Sequence, residues 1–388
     1  MKHRPRKQIT YVGFYDSSLN AAEARNFALS ATNKMDYICG VINGIGLDVR
    51  IVSPARTGNK STYRGKQVQL TDHIILKLFP TFPWGNLLQK AFSMIAGHIF
   101  LFLYLAFNTR RDENVLVYHS LGLMRSVRYA KRIRGFRVIL EVEEIYQDVG
   151  LVQFAARKSE YATFRAADAF LFSTGLLDEK LNVERKPHVV VHGAYEVQLD
   201  RGLSFCDDRI HVVYAGIIDQ KKGGATVAAS VATYLDAKYH IHIVGFGDEA
   251  EIRRLQQIVA GISLATECDL TYDGLLRGDE FLEFLQKCDI GLSTQLAEAA
   301  FNDTSFPSKV LSYMANGLAV VSVRIRSLEE STVAREIVFY DGQDPRDIAE
   351  AIRSIRASAR VDSRALIGQL NADFVEELRV LLAGSVPG

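Results

Sequence analysis

Short apolar runs alternate with amphipathic segments along the first half of the chain. The runs predict strands, and they are followed by segments with helical periodicity. The predicted strands are Gln8 to Phe14, Asp48 to Pro54, Asn114 to Ser120, Phe136 to Glu144, Asp168 to Thr174 and Pro187 to Glu196. The predicted helices are Phe27 to Ile45, Phe92 to Phe107, Arg125 to Arg137 and Phe154 to Ala167. Continuous apolar strands between helices are covered on both faces, which is typical of parallel sheets.

The same pattern restarts after the polar stretch Val197 to Asp208. The predicted strands are Arg209 to Gly216, Tyr239 to Gly247, Leu270 to Gly274, Asp289 to Thr294, Leu318 to Val323 and Glu336 to Asp341. The sequence therefore predicts an α/β protein of two Rossmann-like doubly wound domains, 1–195 and 196–365. A last helical segment, 366–388, is assigned separately as one that can pack back on the first domain. In such folds ligands bind beyond the carboxyl ends of the strands, so we expect the site in a central cleft.

Composition and charge narrow the class of protein. The chain has 388 residues, 48% of them apolar and 23% charged, and its net charge of +1 argues against nucleic acid as the main partner. Its four cysteines are scattered without a CxxC pair, which favours a reducing compartment and no structural zinc site. No apolar run follows the basic start, so we predict no signal peptide and a cytoplasmic protein.

One apolar helix leaves two interpretations open. Phe92 to Phe107 is almost wholly apolar, but its 16 residues are short for a helix that spans a bilayer. It either lies in the core beneath a sheet or lies in a membrane interface. The basic segment Arg125 to Arg137, with Arg125, Arg128 and Arg132 on one helical face, either is solvated or meets anionic lipid. We expect peripheral attachment to the inner membrane face.

Glycine-rich turns follow two strands of the second domain. Gly216 is followed by Lys222 and Gly223. The Lys222 ammonium and the backbone of Gly223 suit a phosphate group. A glycine-rich turn with surface lysines is the alternative. Gly245 and Gly247 form a Gly-x-Gly turn that lacks the third glycine of the dinucleotide fingerprint. Their backbone suits a ribose or a flat ring, and Leu275 after the next strand could support a base.

The stretch Thr304 to Lys309 precedes another predicted helix. A helix that begins near Pro307 leaves its first amides unpaired, and an anion there gains from both the amides and the helix dipole. Lys309 adds a charge, and Ser305 and Ser308 could cap the helix or donate. Together with Lys222 this predicts a diphosphate cradle that needs no metal.

Three polar side chains end strands of the first domain. His119, Glu143 and Glu144 are expected to face the cleft, where a carboxylate could orient an acceptor or stabilise positive charge. A hydrogen-bonded residue at a strand end is the alternative for His119.

At this point the chain resembles a retaining glycosyltransferase of the GT-B fold, in the family-4 group. The resemblance covers most of the chain and is carried by "VVYAGIIDQKKGG", "IHIVGFGDEAEIRRL", "LTYDGLLRGDEFLEFLQKCDIGLST" and "FPSKVLSYMANGLAVVS". In the first domain "YVGFYDSSLNAAEAR" resembles the loop that faces donor and acceptor, with Asn20 and Ala21, and "VHGAYE" resembles the end of the interdomain strand.

Several positions depart from the family pattern. The family's phosphate-binding Arg aligns with Ile217, while its Lys aligns with Lys222. Thr304 and Ser312 stand where the family often has two glutamates, the second of which usually holds the ribose hydroxyls. Glu143-Glu144 replaces the usual His-Asp pair.

The resemblance implies a metal-independent hexosyltransferase without a cofactor. It would move a hexose from a nucleotide-diphosphate sugar, a UDP-sugar by preference, to a glycan or lipid-linked acceptor in surface polysaccharide assembly. Two alternatives remain: a non-catalytic or regulatory GT-B partner that binds a nucleotide, and a GT-B sugar-nucleotide epimerase.

Overall fold

The computed structural model describes residues 6–146, 154–219, 224–296, 302, 304–355 and 363–384. The chain divides into two compact units. The first is Met1–Ala194 together with Ala372–Gly388, and the second is Tyr195–Asn371.

The first unit is an α/β sandwich around one sheet. Its described strands are β1 (Gln8–Val12), β2 (Asp48–Ser53), β3 (Lys66–Thr71), β4 (Ile74–Leu78), β5 (Asn114–Tyr118), β6 (Arg137–Val142), β7 (Ala169–Phe172) and β8 (His188–Val190). Its described helices are α1 (Leu29–Gly44), α2 (Leu87–Asn108), α3 (Met124–Arg134), α4 (Phe154–Ala166) and α5 (Gly175–Leu181), with a 3-10 helix over Ser18–Glu23. The strand order is β3-β4-β2-β1-β5-β6-β7-β8.

Every neighbouring pair in this sheet is parallel except β3 with β4. That antiparallel hairpin is missing from the sequence-based prediction. Its outer strand alternates polar and apolar residues and is largely exposed, so it carries too little apolar signal to stand out. The central strands are buried on both faces, as their continuous apolar sequence predicts.

The second unit contains a wholly parallel sheet. Its described strands are β9 (Ile210–Ile217), β10 (Tyr239–Phe246), β11 (Asp269–Gly274), β12 (Ile290–Ser293), β13 (Ala319–Val323) and β14 (Ile337–Tyr340), in the order β11-β10-β9-β12-β13-β14. Its described helices are α6 (Gly224–Ser230), α7 (Glu249–Ser263), α8 (Gly278–Lys287), α9 (Lys309–Ala315), α10 (Arg326–Glu329) and α11 (Pro345–Ser354), with 3-10 turns over Val231–Tyr234 and Ala334–Glu336.

The last helix, α12 (Ser363–Ala383), begins in the second unit and ends in the first. In the first unit Phe374 is buried and stacks on Tyr37, with ring centroids 5.7 Å apart. The Arg137 guanidinium donates to the Leu381 carbonyl at 2.7 Å. These contacts tie the end of the chain to the first sheet.

Helix α2 is longer than its apolar run suggested. It extends over 22 residues because Asn86 caps it with a reciprocal side-chain bond to Gln89. Leu101, Leu105 and Ala106 pack into the core of the first unit. The other face of the helix is exposed. The helix is therefore only partly buried in the core.

Candidate active site

The carboxyl ends of β9 and β10 approach each other closely at two glycines. A Cβ on Gly245 would lie 1.8 Å from the Gly216 carbonyl oxygen, and the φ of Gly245 is +153°. A Cβ on Gly247 would lie 2.4 Å from the Ile218 oxygen. Glycine is therefore required here for the backbones to meet, and the turn presents main-chain atoms at its surface.

The ammonium of Lys309 lies at this same edge. Its Nζ is 4.2 Å from the centroid of the Tyr214 ring, a cation–π contact. A Cβ on Gly216 would lie only 3.1 Å from that Nζ. The start of α6 is close as well, because the Thr294 hydroxyl donates to the Gly224 carbonyl at 2.7 Å. The Lys309 ammonium therefore lies beside the backbone of Gly216. It is placed there by the ends of β9 and β12 and the starts of α6 and α9.

The helix that carries Lys309 begins later than the sequence predicted. Helix α9 starts at Lys309 instead of Pro307, because Pro307 and Ser308 form a turn. The amides of Val310 and Leu311 already donate to the Pro307 and Ser308 carbonyls, at 3.0 and 3.1 Å. The expectation that the whole first turn is open to an anion is therefore wrong for those two amides.

The remaining predicted donor residues of this stretch differ in exposure. Ser308 and Ser312 are exposed, and Ser305 and Pro307 are half-buried. Thr304 is fully buried, which corrects the expectation that it lies open beside the donor. Its hydroxyl has no hydrogen-bond partner among the described residues. Lys222 and Gly223 lie outside the described residues.

Three large apolar side chains are exposed where neighbouring strands end. Ile217, Phe246 and Leu275 follow or end β9, β10 and β11 and are each about half exposed. Ile217 and Phe246 are directly paired in the sheet, and the Tyr272 hydroxyl donates to the Gly245 carbonyl at 3.1 Å. Sequence analysis selected only Leu275. The signal available for Phe246 was its position as the apolar middle residue of the Gly-x-Gly turn at the end of a predicted strand.

In the first unit a buried carboxyl lies beside the predicted carboxylates. Glu141 is fully buried on β6, and its carboxylate accepts from the Tyr11 hydroxyl. Burial, and secondarily the charge of Glu143, raises the pKa of Glu141 to about 8, although the Lys34 ammonium opposes the shift. Lys34 is itself buried, pairs with Glu143 and donates to the Val191 carbonyl at 2.9 Å. Neither Lys34 nor Glu141 was predicted from the sequence as a site residue.

His119 does not face an open site as predicted. It is buried between the rings of Tyr146 and Phe164, with centroids 5.1 and 5.0 Å away. Burial lowers its pKa to about 3, so the ring is neutral. Its Nε2 lies 3.4 Å from the buried Glu160 carboxylate. The ring is hydrogen-bonded to the Glu144 backbone, whereas Nε2 has no hydrogen-bond partner among the described residues. The alternative of a buried strand-end residue therefore describes His119 better than direct catalysis does.

The other first-domain candidates are split between core and surface. Asn20 is buried and its amide donates to both Asp16 carboxylate oxygens at 3.0 Å, so it holds the loop together. Ala21 is exposed, and Glu143 and Glu144 are half-buried. The prediction that Asn20 contacts a ligand is therefore wrong. Ligand contact by Ala21, Glu143 and Glu144 stays a prediction.

Metal-binding groups gather elsewhere. Within the described residues, the cluster whose ligand atoms could hold one ion is His211, His240 and His242. These residues lie towards the amino ends of β9 and β10, away from Gly216 and Gly245.

Comparisons with known proteins find a family match within the second unit. Residues 209–358 match the family model described as Glycosyl transferases group 1. No curated protein matches the chain.

Among solved structures, similar ones cover nearly the whole chain. A sucrose-phosphate synthase from Thermosynechococcus elongatus is 13% identical with a TM-score of 0.68, over 97% of this chain and all of that one. The E. coli trehalose-6-phosphate protein bound with UDP-2-fluoro glucose is 11% identical with a TM-score of 0.66, over 97% and 99%. A UDP-forming alpha,alpha-trehalose-phosphate synthase from Burkholderia vietnamiensis is 12% identical with a TM-score of 0.61, over 97% and 96%. These likenesses show the fold, and the predicted GT-B class is confirmed.

The raised pKa of Glu141 predicts a pH-dependent stability. Its pKa rises from 4.5 to about 8 on folding, so the folded chain keeps a proton that the unfolded chain has lost. The stability from that proton is complete below pH 4.5 and is lost as pH rises through about 8. Glu141→Gln keeps the shape without ionising, so its stability relative to wild type should be more favourable at pH 8 than at pH 5.

Urea denaturation at both pH values measures this difference, with the exposed Glu249→Gln as the matched control. A difference between Glu141→Gln and wild type that stays constant with pH would show that Glu141 ionises normally.

Proposed function

We propose that this chain, a GT-B glycosyltransferase whose residues 209–358 match the glycosyl transferases group 1 family, uses a UDP-sugar as donor. It would transfer a hexose to a glycan or lipid-linked acceptor in surface polysaccharide assembly. The observation that carries the donor proposal is the Lys309 ammonium held over Tyr214 beside the bare backbone of Gly216.

The carboxyl edge of the second sheet suits each part of a nucleotide sugar. The diphosphate would meet Lys309, with Ser308 and Lys222 as further donors. Ile217, Phe246 and Leu275 offer apolar surface for the base. The UDP-forming synthase and the protein bound with UDP-2-fluoro glucose support uracil as the base.

The proposed chemistry needs charge stabilisation more than acid or base strength. The bond from the anomeric carbon to the diphosphate oxygen breaks, and a bond to the acceptor oxygen forms on the same face. The acceptor hydroxyl would pass its proton to the departing phosphate. Cations beside the diphosphate stabilise the charge that develops on it, so neither a metal nor a cofactor is required.

On the acceptor side, Glu143 is the best-supported group. Lys34 fixes one of its carboxylate oxygens, while about 28% of the side chain remains exposed. A carboxylate held in place by a buried cation can orient a hydroxyl or stabilise positive charge on the sugar. Glu144 is proposed for the same role.

A second candidate, a nucleotide-binding partner without transferase activity, is favoured by one observation. Ile217 is an exposed apolar residue at the position where the resemblance implies a phosphate-binding Arg. Incubation with UDP-, GDP- and ADP-sugars separates the two candidates. Sugar transfer or slow donor hydrolysis supports the enzyme, whereas binding with neither supports the partner.

We expect Lys309→Ala and Lys222→Ala each to weaken binding of a UDP-sugar. Loss of one charge-assisted hydrogen bond costs about 1.5–3 kcal/mol, or about ten- to hundredfold in affinity. Lys238→Ala is a matched control, because Lys238 is exposed just before β10 at the opposite end of that strand. Calorimetric titration checks this. Equal affinities in all four proteins would refute the diphosphate cradle.

We expect Glu143→Gln and Glu144→Gln to lower kcat far more than donor affinity. Each change keeps the shape and removes a charge that would act in the transition state. Turnover and donor Kd are measured for the same preparations, with the exposed Glu179→Gln as control. Normal kcat in both variants would make these carboxylates structural.

The exposed face of α2 supports peripheral membrane contact. By length and composition Leu87–Asn108 could cross a bilayer, but three of its residues pack into the first unit's core. On the opposite face the side chains of Leu88, Phe92, Ile95, Ile99, Leu103 and Phe107 are exposed, each by 42% or more. One packed face and one exposed apolar face favour a helix that lies in the interface over one that spans it.

Basic residues accompany this apolar face. Helix α3 packs against α2, and its Arg125 and Arg132 are exposed. A cavity of about 830 Å³ beside α3 is lined by five basic residues, Arg128, Lys131, Arg132, Arg165 and Lys186, and by Asp168, which pairs with Lys131. These charges suit anionic headgroups, each basic residue near the surface contributing about 1 kcal/mol.

We expect the wild-type protein to float with anionic liposomes at low salt and to be released at about 1 M salt, where the screening length is about 3 Å. Arg125→Glu with Arg132→Glu should reduce binding by repulsion, as should Phe92→Ser with Ile99→Ser by loss of apolar burial. Arg128 is left intact because it donates to the Ser159 carbonyl.

Arg253→Glu with Arg335→Glu, two exposed positions of the second unit, gives the same change of net charge as a control. The membrane proposal fails if wild type does not float at low salt, or if this control is released as readily as the α3 variant.

A further inference from the structure

Three histidines meet on one face of the second sheet, far along the strands from the glycine turns. His211 on β9 is the direct register partner of His240 on β10, and His242 lies two residues further on, on the same face. Their ligand nitrogens all lie within 4.8 Å of one another.

The outer nitrogens of two of these rings face carboxylates. His211 Nε2 is 2.7 Å from an Asp207 oxygen, and His242 Nδ1 is 3.2 Å from an Asp273 oxygen. A carboxylate accepts from an N–H, so Asp207 and Asp273 favour a hydrogen on the outer nitrogen of each ring. The Thr271 hydroxyl also lies 3.2 Å from His242 Nδ1 and donates to Asp273 at 3.0 Å. With both outer nitrogens protonated, the inner nitrogens, His211 Nδ1 and His242 Nε2, face each other as lone pairs 2.9 Å apart.

Two lone pairs at 2.9 Å repel each other unless a cation lies between them. That cation is either a proton, which makes one ring an imidazolium, or a metal ion. A third ring, His240, stacks on His242 with centroids 3.9 Å apart, and its ligand nitrogen lies within 4.8 Å of the pair. A metal ion gains this nitrogen as a ligand when the His240 ring turns towards the pair, whereas a shared proton gains nothing from it.

We propose that His211, His240 and His242 bind one divalent transition-metal ion, with Zn²⁺ as the best fit. Neutral imidazoles backed by carboxylates, here Asp207 and Asp273, are the usual ligands and outer partners of such ions. At a Zn–N distance of about 2.0–2.1 Å, two nitrogens of a tetrahedral site lie about 3.3 Å apart, so the inner pair opens by a few tenths of an ångström.

The surroundings define what the ion would do. The Phe205 ring stacks on His211 at 4.0 Å between centroids, and the Phe284 ring meets His242 edge-on at 5.1 Å. His211 and His242 are almost fully buried, while His240 is half-buried and leaves room for a solvent ligand. The site lies at the amino ends of the strands, so it would join β9 to β10 as a structural site and take no part in sugar transfer.

Zinc binding by the full-length, untagged protein after EDTA dialysis tests the proposal. Competition with a chromophoric chelator should give one Zn²⁺ per chain, and Co²⁺ should give the visible spectrum of a tetrahedral nitrogen site. His240→Gln, which is half-buried and least able to disturb folding, should weaken Zn²⁺ binding by more than the about 10–100-fold typical of an outer-shell loss. His211→Gln and His242→Gln should do the same, and Asp273→Asn should give the smaller, outer-shell loss.

His188→Gln is the matched control, because His188 also faces a carboxylate, Asp178, but lies in the first unit. It should keep wild-type affinity. Absence of Zn²⁺ and Co²⁺ binding by wild type at about 100 μM metal, or binding that survives His240→Gln, would leave the pair with a shared proton and overturn the proposal. Donor binding should be the same before and after EDTA treatment, so the outcome is independent of the proposed transferase function.

Discussion

Parallel pairing of strands is the constraint on which both units depend. In a parallel sheet every strand ends at the same edge, so loops distant in the chain are gathered there. In the second unit this brings Gly216, Gly245 and Leu275 to one edge, with Lys309 arriving from the helix after β12. The same pairing gathers the amino ends at the other edge, where His211 and His240 become neighbours. One topological rule thus places two different groups of side chains at opposite edges of the same sheet.

The first unit depends on a buried charge network in addition to its apolar core. Lys34, Glu143 and Glu141 are close together beneath the ends of β6 and α1, and Tyr11 donates to Glu141. Burying charge is costly, and it is tolerated when each charge has a partner and a hydrogen bond. A proton held on Glu141 lets the network bury one positive charge against one negative charge. The network is a fixed support for Glu143, whose side chain remains partly exposed.

Helix α2 shows how one helix can serve two environments. Its core-facing residues, including Leu101 and Leu105, pack with the sheet, while Phe92 and Ile99 face outward. An exposed apolar stripe on a helix is unfavourable in water. It either promotes aggregation or is covered by another apolar surface. The basic residues of α3 beside it favour a surface that is both apolar and anionic.

The sequence by itself determined the alternation of strands and helices, the division into two α/β parts and the glycine turns at the carboxyl edge of the second sheet. These features are local: apolar periodicity marks buried strands, and Gly245 and Gly247 mark a backbone that no side chain could enter. The family resemblance added the GT-B class, which the solved structures confirm.

Only the tertiary structure decided which polar residues are buried and which meet. From the sequence, Lys34 is expected on the surface of a helix, and Glu141 is a charged residue within an apolar strand. The fold brings both of them next to Glu143. His119 reads as a catalytic residue at a strand end, but α4 covers it. The histidine cluster escaped notice because His211 lies about 30 residues before its partners, and only the pairing of β9 with β10 brings their nitrogens together. Long-range contacts of this kind are set by strand order and helix packing, which short-range periodicity does not encode.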